Sequence, residues 1–118
     1  MNVDSYDVNG TQVAEMRSQG IVIRTARDAA DVARQLLDRG IGKLILYQKN
    51  ICPEVWEISN GLATAILKEF DNRAIDVAFV GEFSSDRRKG IQEFIRTQSG
   101  SRFAFVGSSD LAKTRLSQ

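Results

Sequence analysis

The sequence contains no histidine, and that absence removes more chemistry than any motif present supplies. Histidine is the usual general base, the commonest metal ligand and the side chain that titrates near neutrality. The single cysteine, Cys52, excludes an internal disulfide, and without histidine it cannot complete a zinc site. Proline and tryptophan also occur once each, as Pro53 and Trp56, in the same short stretch. No apolar run reaches the ~18 residues of a membrane helix, and residues 1–10 lack the cationic-then-apolar profile of a secretory signal. Neither sign of charge dominates: 16 basic and 15 acidic residues leave a net +1, too little to draw the chain to nucleic acid or an anionic bilayer. These absences predict a cytoplasmic, non-enzymatic protein with no cofactor, no metal, and neither nucleic acid nor membrane as partner.

What is present suffices for a single domain over residues 1–118, long enough to bury about two-thirds of its unfolded surface. Asn9-Gly10 is a strong hairpin signal, because both central positions of a type I′ turn need positive φ. Val13 and Met16 follow that turn, and Gln19-Gly20 marks a weaker one before a strand at Ile21 to Ile23. The stretch Thr11 to Met16 is expected to form an open edge, which makes a homodimer plausible.

Thr25 is the expected cap of a first helix, with Asp28 completing a weak capping box. Ala29, Val32, Ala33, Leu36 and Leu37 form its apolar stripe, and Arg27/Asp31 and Arg34/Asp38 are expected pairs on the opposite face. Gly40 and Gly42 stop it. Lys43 to Tyr47 is apolar without alternation, as in a strand covered on both faces. Pro53 forbids its continuation and suits the first turn of a short helix through Trp56.

A second helix opens on Ser59-Asn60-Gly61, carries Leu62, Ala63, Ile66, Leu67 and Phe70, and closes at Asp71-Asn72. Ile75 to Val80 is an inner strand. A third helix turns Ile91, Phe94 and Ile95 inward, with Gly90 in its interior at a cost of about 1 kcal/mol. Phe103 to Val106 is the last strand, and Ser108 or Ser109 caps a short helix carrying Leu111 and Leu116. The fold class is therefore α/β, an N-terminal hairpin followed by β-α repeats. It has a mixed sheet of four to six strands, three main helices and a short C-terminal one.

The strand, loop and helix start at Ser59-Asn60-Gly61-Leu62 resemble the STAS-like domains, the fold of bacterial anti-sigma-factor antagonists. Their signature places Asp-Ser-Ser-Gly-Leu at that helix start, and Ser59, Gly61 and Leu62 match it. The resemblance runs from Ile21 to Leu116 and implies a regulatory, protein-binding role. The position of the phosphate-accepting serine is Asn60, which has no hydroxyl, and the preceding aspartate position is Ile58. The chain also resembles a family of small uncharacterised bacterial proteins, through Ile21-Val22-Ile23-Arg24, Ser59 to Ala63 and Gly81-Glu82-Phe83-Ser84.

In an open α/β sheet, ligands and partners bind outside the carboxyl ends of the strands. Asn50, Ser59, Asn60, Glu82, Phe83 and Ser84 are expected to share that edge, with an exposed Phe83 as its natural anchor. Another protein is the expected partner. The alternative is a small molecule or nucleotide held at the same helix N-terminus, against which stands the lack of a Gly-rich phosphate loop. An enzyme using Ser59, lysine or carboxylates would need a pocket holding a pKa-shifted pair. Capping alone accounts for short polar residues at Ser59 and Asn60. Cys52 reads as a small hydrophobe, Trp56 as core in preference to an exposed anchor, and Arg87-Arg88-Lys89 and Glu54/Glu57 as solvated faces.

Overall fold

The computed structural model describes residues 2–118. β1 (Val3–Val8) and β2 (Thr11–Met16) form a hairpin whose tip, Asn9 at φ 53° and Gly10 at φ 83°, is the type I′ turn that the dipeptide favours. Three crossovers follow: α1 (Ala26–Asp38) to β3 (Lys43–Tyr47), α2 (Leu62–Asn72) to β4 (Asp76–Val80), and α3 (Ile91–Gln98) to β5 (Phe103–Val106). α4 (Ser109–Leu116) ends the chain. The result is the expected α/β class, a mixed five-stranded sheet in the order β1-β2-β3-β4-β5, antiparallel at the hairpin and parallel thereafter. No helix of the described residues is long and apolar enough to cross a membrane.

Strand–helix–strand crossovers have almost always one hand, so three steps in the same direction put three helices on one face. Leu44, Leu46, Val77, Phe79 and Phe103 point to that side, against Ala33 and Leu36 of α1, Ile66 and Phe70 of α2, and Ile91 of α3. The alternate residues Val13, Ile45, Ala78, Val80 and Ala104 form a second, smaller core with Ala112 and Leu116 of α4. Both faces of β3 and β4 are thus covered, which is why those strands are apolar without alternation.

Thr25 caps α1 as expected, its Oγ1 accepting from the Asp28 N–H at 3.2 Å, while the Asp28 carboxylate takes the Arg24 N–H at 2.9 Å. Ser108, of the two serines considered, caps α4 through the Leu111 N–H. Several details differ from expectation. Ile21 to Ile23 is not a strand; only Ile23 bridges Ile51. Leu37 and Leu111 are 45% and 54% exposed, because helical spacing alone does not say where an apolar stripe ends. Arg34 pairs with Asp31 instead of Asp38. α3 starts at Ile91, so Gly90 is its N-terminal flanking residue at φ 83° and carries no interior penalty. Thr11 to Met16 is not an edge: β2 lies between β1 and β3, and the edge strands are β1 and β5.

Candidate functional site

The loops leaving the carboxyl ends of β3 and β4 are tied to each other. Arg88 donates to the Pro53 carbonyl at 2.6 Å and lies 3.8 Å from the carboxylates of both Glu57 and Asp86. Gln48 reaches across to accept the Glu82 N–H at 3.0 Å. That approach needs Gly81, since a Cβ there would lie 2.7 Å from the Gln48 Cβ. Between the loops runs a shallow cleft of about 340 Å³, lined by Glu57, Ile58, Ser59, Lys89 and Gly90.

The six residues expected to share this end divide into three groups. Ser59 and Asn60 are exposed at the mouth, in a one-turn helix (Ile58–Asn60) that hands over to α2 through Gly61 at φ 78°. The Asn60 Oδ1 accepts from the Leu62 N–H at 2.8 Å, and its Nδ2 donates to the Glu54 carbonyl at 2.7 Å. Neither Ser59 nor Asn60 is the cap of α2, which is Gly61 without a side-chain cap bond; Asn60, one residue earlier, takes the Leu62 N–H and pins the preceding loop. Glu82 and Ser84 are exposed on the neighbouring loop, and no hydrogen bond among the described residues joins them to Ser59 or Asn60.

Asn50 and Phe83 correct the expectation, because both are interior. Asn50 is fully buried and stitches loops together: its Nδ2 donates to the Ser18 and Gly20 carbonyls at 2.8 and 3.0 Å. Its Oδ1 accepts the Tyr47 N–H at 3.3 Å. Phe83 is 3% exposed and packs edge-on to Trp56 and Phe105, with ring centroids 5.2 and 5.4 Å away. The one-turn helix Phe83–Ser85 turns it under the rim, and its carbonyl accepts from Gln92 of α3 at 2.8 Å. Trp56 is core, as expected, and makes further edge contacts with Phe79 and Phe105. The Cys52 thiol donates to Glu54 at 3.0 Å, and that bond holds its pKa above the ordinary thiol value.

A second polar cluster lies on the α4 face, and sequence reasoning missed it. Glu15 of β2 is buried, yet its carboxylate accepts from the hydroxyls of Tyr6, at 2.7 Å, and Tyr47, and Arg17 stands 3.4 Å away. Lys113 of α4 sits 5.0 Å above the Tyr6 ring. The register explains the meeting: Glu15 pairs with Ile45, two residues before Tyr47, and Tyr6 pairs with Val13, two before Glu15. The available signal was an acid between Ala14 and Met16 in a strand covered on both faces. Its use required knowing which strands are neighbours.

Burial disfavours the charge on Glu15, but the two hydroxyl bonds, Arg17 and Lys113 outweigh it and hold its pKa below the usual carboxylate value. Burial, followed by the bond to Glu15, pushes both Tyr6 and Tyr47 up. The fold therefore binds the tyrosine protons more tightly than the unfolded chain does. Their contribution is complete below the ordinary tyrosine pKa of about 10 and is lost as pH rises beyond it. The Glu15 contribution has the opposite sense, present above about pH 4.5 and lost as pH falls below it. Urea midpoints of the wild type should therefore drop above about pH 10, and Tyr6→Phe should flatten that drop. An unchanged alkaline slope in Tyr6→Phe would show that the hydroxyl bond to Glu15 does not form.

At the amino ends of the strands, Lys43 and Arg102 each approach Asp76 at 2.9 Å, and Arg102 also reaches Asp71 at 2.9 Å, so the charges there are mutually paired.

A family model described as a domain of unknown function (DUF4180) matches residues 8–116. No curated protein and no solved structure matches the chain.

Proposed function

The chain belongs to the DUF4180 family, a domain of unknown function, and from its strand-end rim we propose that it is a non-enzymatic, STAS-like domain that binds another protein. The observation that carries this reading is the pair of cross-tied loops around the cleft at Glu57, Ile58, Ser59, Lys89 and Gly90. A rim fixed by Arg88 and Gln48 loses little freedom on docking, so binding there costs less ordering entropy. Its half-buried Ile58, flanked by an acidic and a basic side chain, suits a short protein segment with one apolar anchor and charged neighbours. The phosphate switch of STAS antagonists has no acceptor at Asn60, so recognition on this reading is constitutive. A reducing, cytoplasmic setting fits the single free cysteine.

The chemistry of the polar groups supports a binding role over catalysis. Glu15 has its oxygens engaged by two tyrosines and Arg17, and the Cys52 thiol is held protonated by Glu54.

The test is a double variant, Ser59→Arg with Lys89→Glu, compared with wild type in affinity capture from a cell extract. Both residues are exposed, and such changes move stability by only about 0.5 kcal/mol. Capture of a specific partner should be lost while the melting temperature holds. An identical set of captured proteins would remove the rim from consideration.

A further inference from the structure

The edge of the sheet away from the crossovers raises a separate question. β1 is six residues long and pairs with β2 without a bulge over its whole length, from Val3↔Met16 to Val8↔Thr11. In a two-residue hairpin the residues flanking the turn exchange hydrogen bonds, and the pattern then alternates. Val8, Tyr6 and Asp4 therefore bond to β2, in phase with the Arg17 N–H that donates to the Asn2 carbonyl at 2.8 Å. The N–H and C=O groups of Val3, Ser5 and Asp7 face outward, away from β2. Proline, lysine, a bulge or a covering helix protects many such edges, and β1 has none of these among the described residues; its two charges are engaged within the hairpin, Asp4 by Arg17 at 3.2 Å and Asp7 by the Gly10 N–H at 2.7 Å.

We propose that β1 pairs with β1 of a second copy of this chain, antiparallel about a two-fold axis at Ser5, to give one continuous ten-stranded sheet. The register follows from the outward groups. Only odd-numbered residues can exchange hydrogen bonds across the axis, so the two paired positions must sum to an even number. A sum of 10 places Ser5 against Ser5, Val3 against Asp7 and Asp4 against Tyr6, and it pairs all three outward-facing residues, with Val8 opposite Asn2. No like charges then stand opposite each other. A sum of 8 sets Asp4 against Asp4, and a sum of 12 sets the outward Val3 against Asn9, which lies in the turn at φ 53° and cannot extend the ladder. Charge and overlap both select Ser5.

The opposite edge explains why assembly stops at two copies. β5 has only four residues, and Ser99 bridges Phe103, which lays the preceding turn against its start. A two-fold β1 contact is closed, and no second long edge remains for a fibre.

The experiment uses the whole chain and three proteins in light scattering coupled to size exclusion at micromolar concentration: wild type, Ser5→Lys and Ser5→Glu. Each substitution puts like charges face to face at the axis, and the exposed Ser5 makes no side-chain hydrogen bond among the described residues. Wild type should run at twice the chain mass. Each variant alone should be a folded monomer by circular dichroism, its dimer dissociation constant raised at least about tenfold. Mixing the two variants should restore the dimer, because opposite charges then meet at Ser5. A monomeric wild type, a higher oligomer, variants that stay dimeric alone, or a mixture that stays monomeric would each overturn the proposal. If either variant fails to fold, hydrogen exchange on wild type decides: amides of Val3, Ser5 and Asp7 should gain protection with protein concentration. Concentration-independent exchange would overturn it.

Discussion

Replacing Asn50 by alanine is expected to destabilise the fold by about 3 kcal/mol, a large share of the total for a domain of this size. The side chain is buried and makes three hydrogen bonds, to the Ser18 and Gly20 carbonyls and from the Tyr47 N–H. Gly20 is exposed, so its carbonyl regains water after truncation; the other two groups are more enclosed. Each buried group left unpaired costs about 1–3 kcal/mol, which sets the estimate. Asn50→Asp is the sharper variant. It keeps the shape but turns a donating NH₂ into an oxygen facing two carbonyls. Only the protonated acid can donate there, so its pKa must rise on folding. Its stability should therefore improve as pH falls from 7 toward 4, the reverse of an ordinary carboxylate. Urea midpoints for both variants at the two pH values test this. A midpoint unchanged in Asn50→Ala would mean that the side chain is free for a partner after all.

That Asn50 was expected at a binding edge shows where local reading stops. Residues 48–53 were correctly placed after an inner strand, and a polar residue in such a loop is ordinarily solvated. Here the loop leaving β2 folds over it, with Val22 and Ile23 both donating to the Asn50 carbonyl at 2.8 and 3.0 Å. The partners are some 30 residues away in sequence. The signals that did read through are local ones: the Asn9-Gly10 turn, the Thr25 cap, the short helix at Pro53, and the doubly covered strands. Period and capping chemistry act within a few residues, so the chain order of elements was legible. Strand adjacency does not act locally. Local pattern accordingly points to Thr11 to Met16 as the edge, where the fold has β1, and nothing local joins Glu15, Tyr6 and Tyr47 into a cluster. Of the six proposed site residues, the four that remain exposed lie on two loops whose ties, Arg88 and Gln48, no spacing rule reveals.

Phe83→Ala is expected to cost about 3–5 kcal/mol, the largest effect of any substitution considered. Phe83 packs edge to face on Trp56 and Phe105, and behind it Phe79 stacks on Phe105 at 5.0 Å and meets Trp56 edge on. Truncation removes two edge contacts worth about 0.5–1.5 kcal/mol each, beyond the area they bury, and leaves a hole beside the indole. The Trp56 Nε1–H has no hydrogen-bond partner among the described residues, so water entering that hole would find a waiting donor. Trp56 is the only tryptophan, which makes its fluorescence a direct reporter. Emission should shift to the red in folded Phe83→Ala, and the shift should be much smaller in Phe83→Leu, which refills most of the space. The consequence for function is specific. Loss of a partner in Phe83→Ala would follow from a loosened rim, since the ring supports the loop that carries Glu82, Ser84 and Lys89 from beneath. Phe83→Leu, retaining the support but not the aromatic face, should keep the partner that Ser59→Arg with Lys89→Glu loses. If Phe83→Ala instead left the urea midpoint and the emission maximum unmoved while abolishing capture, the ring would be an exposed docking surface and not a core side chain.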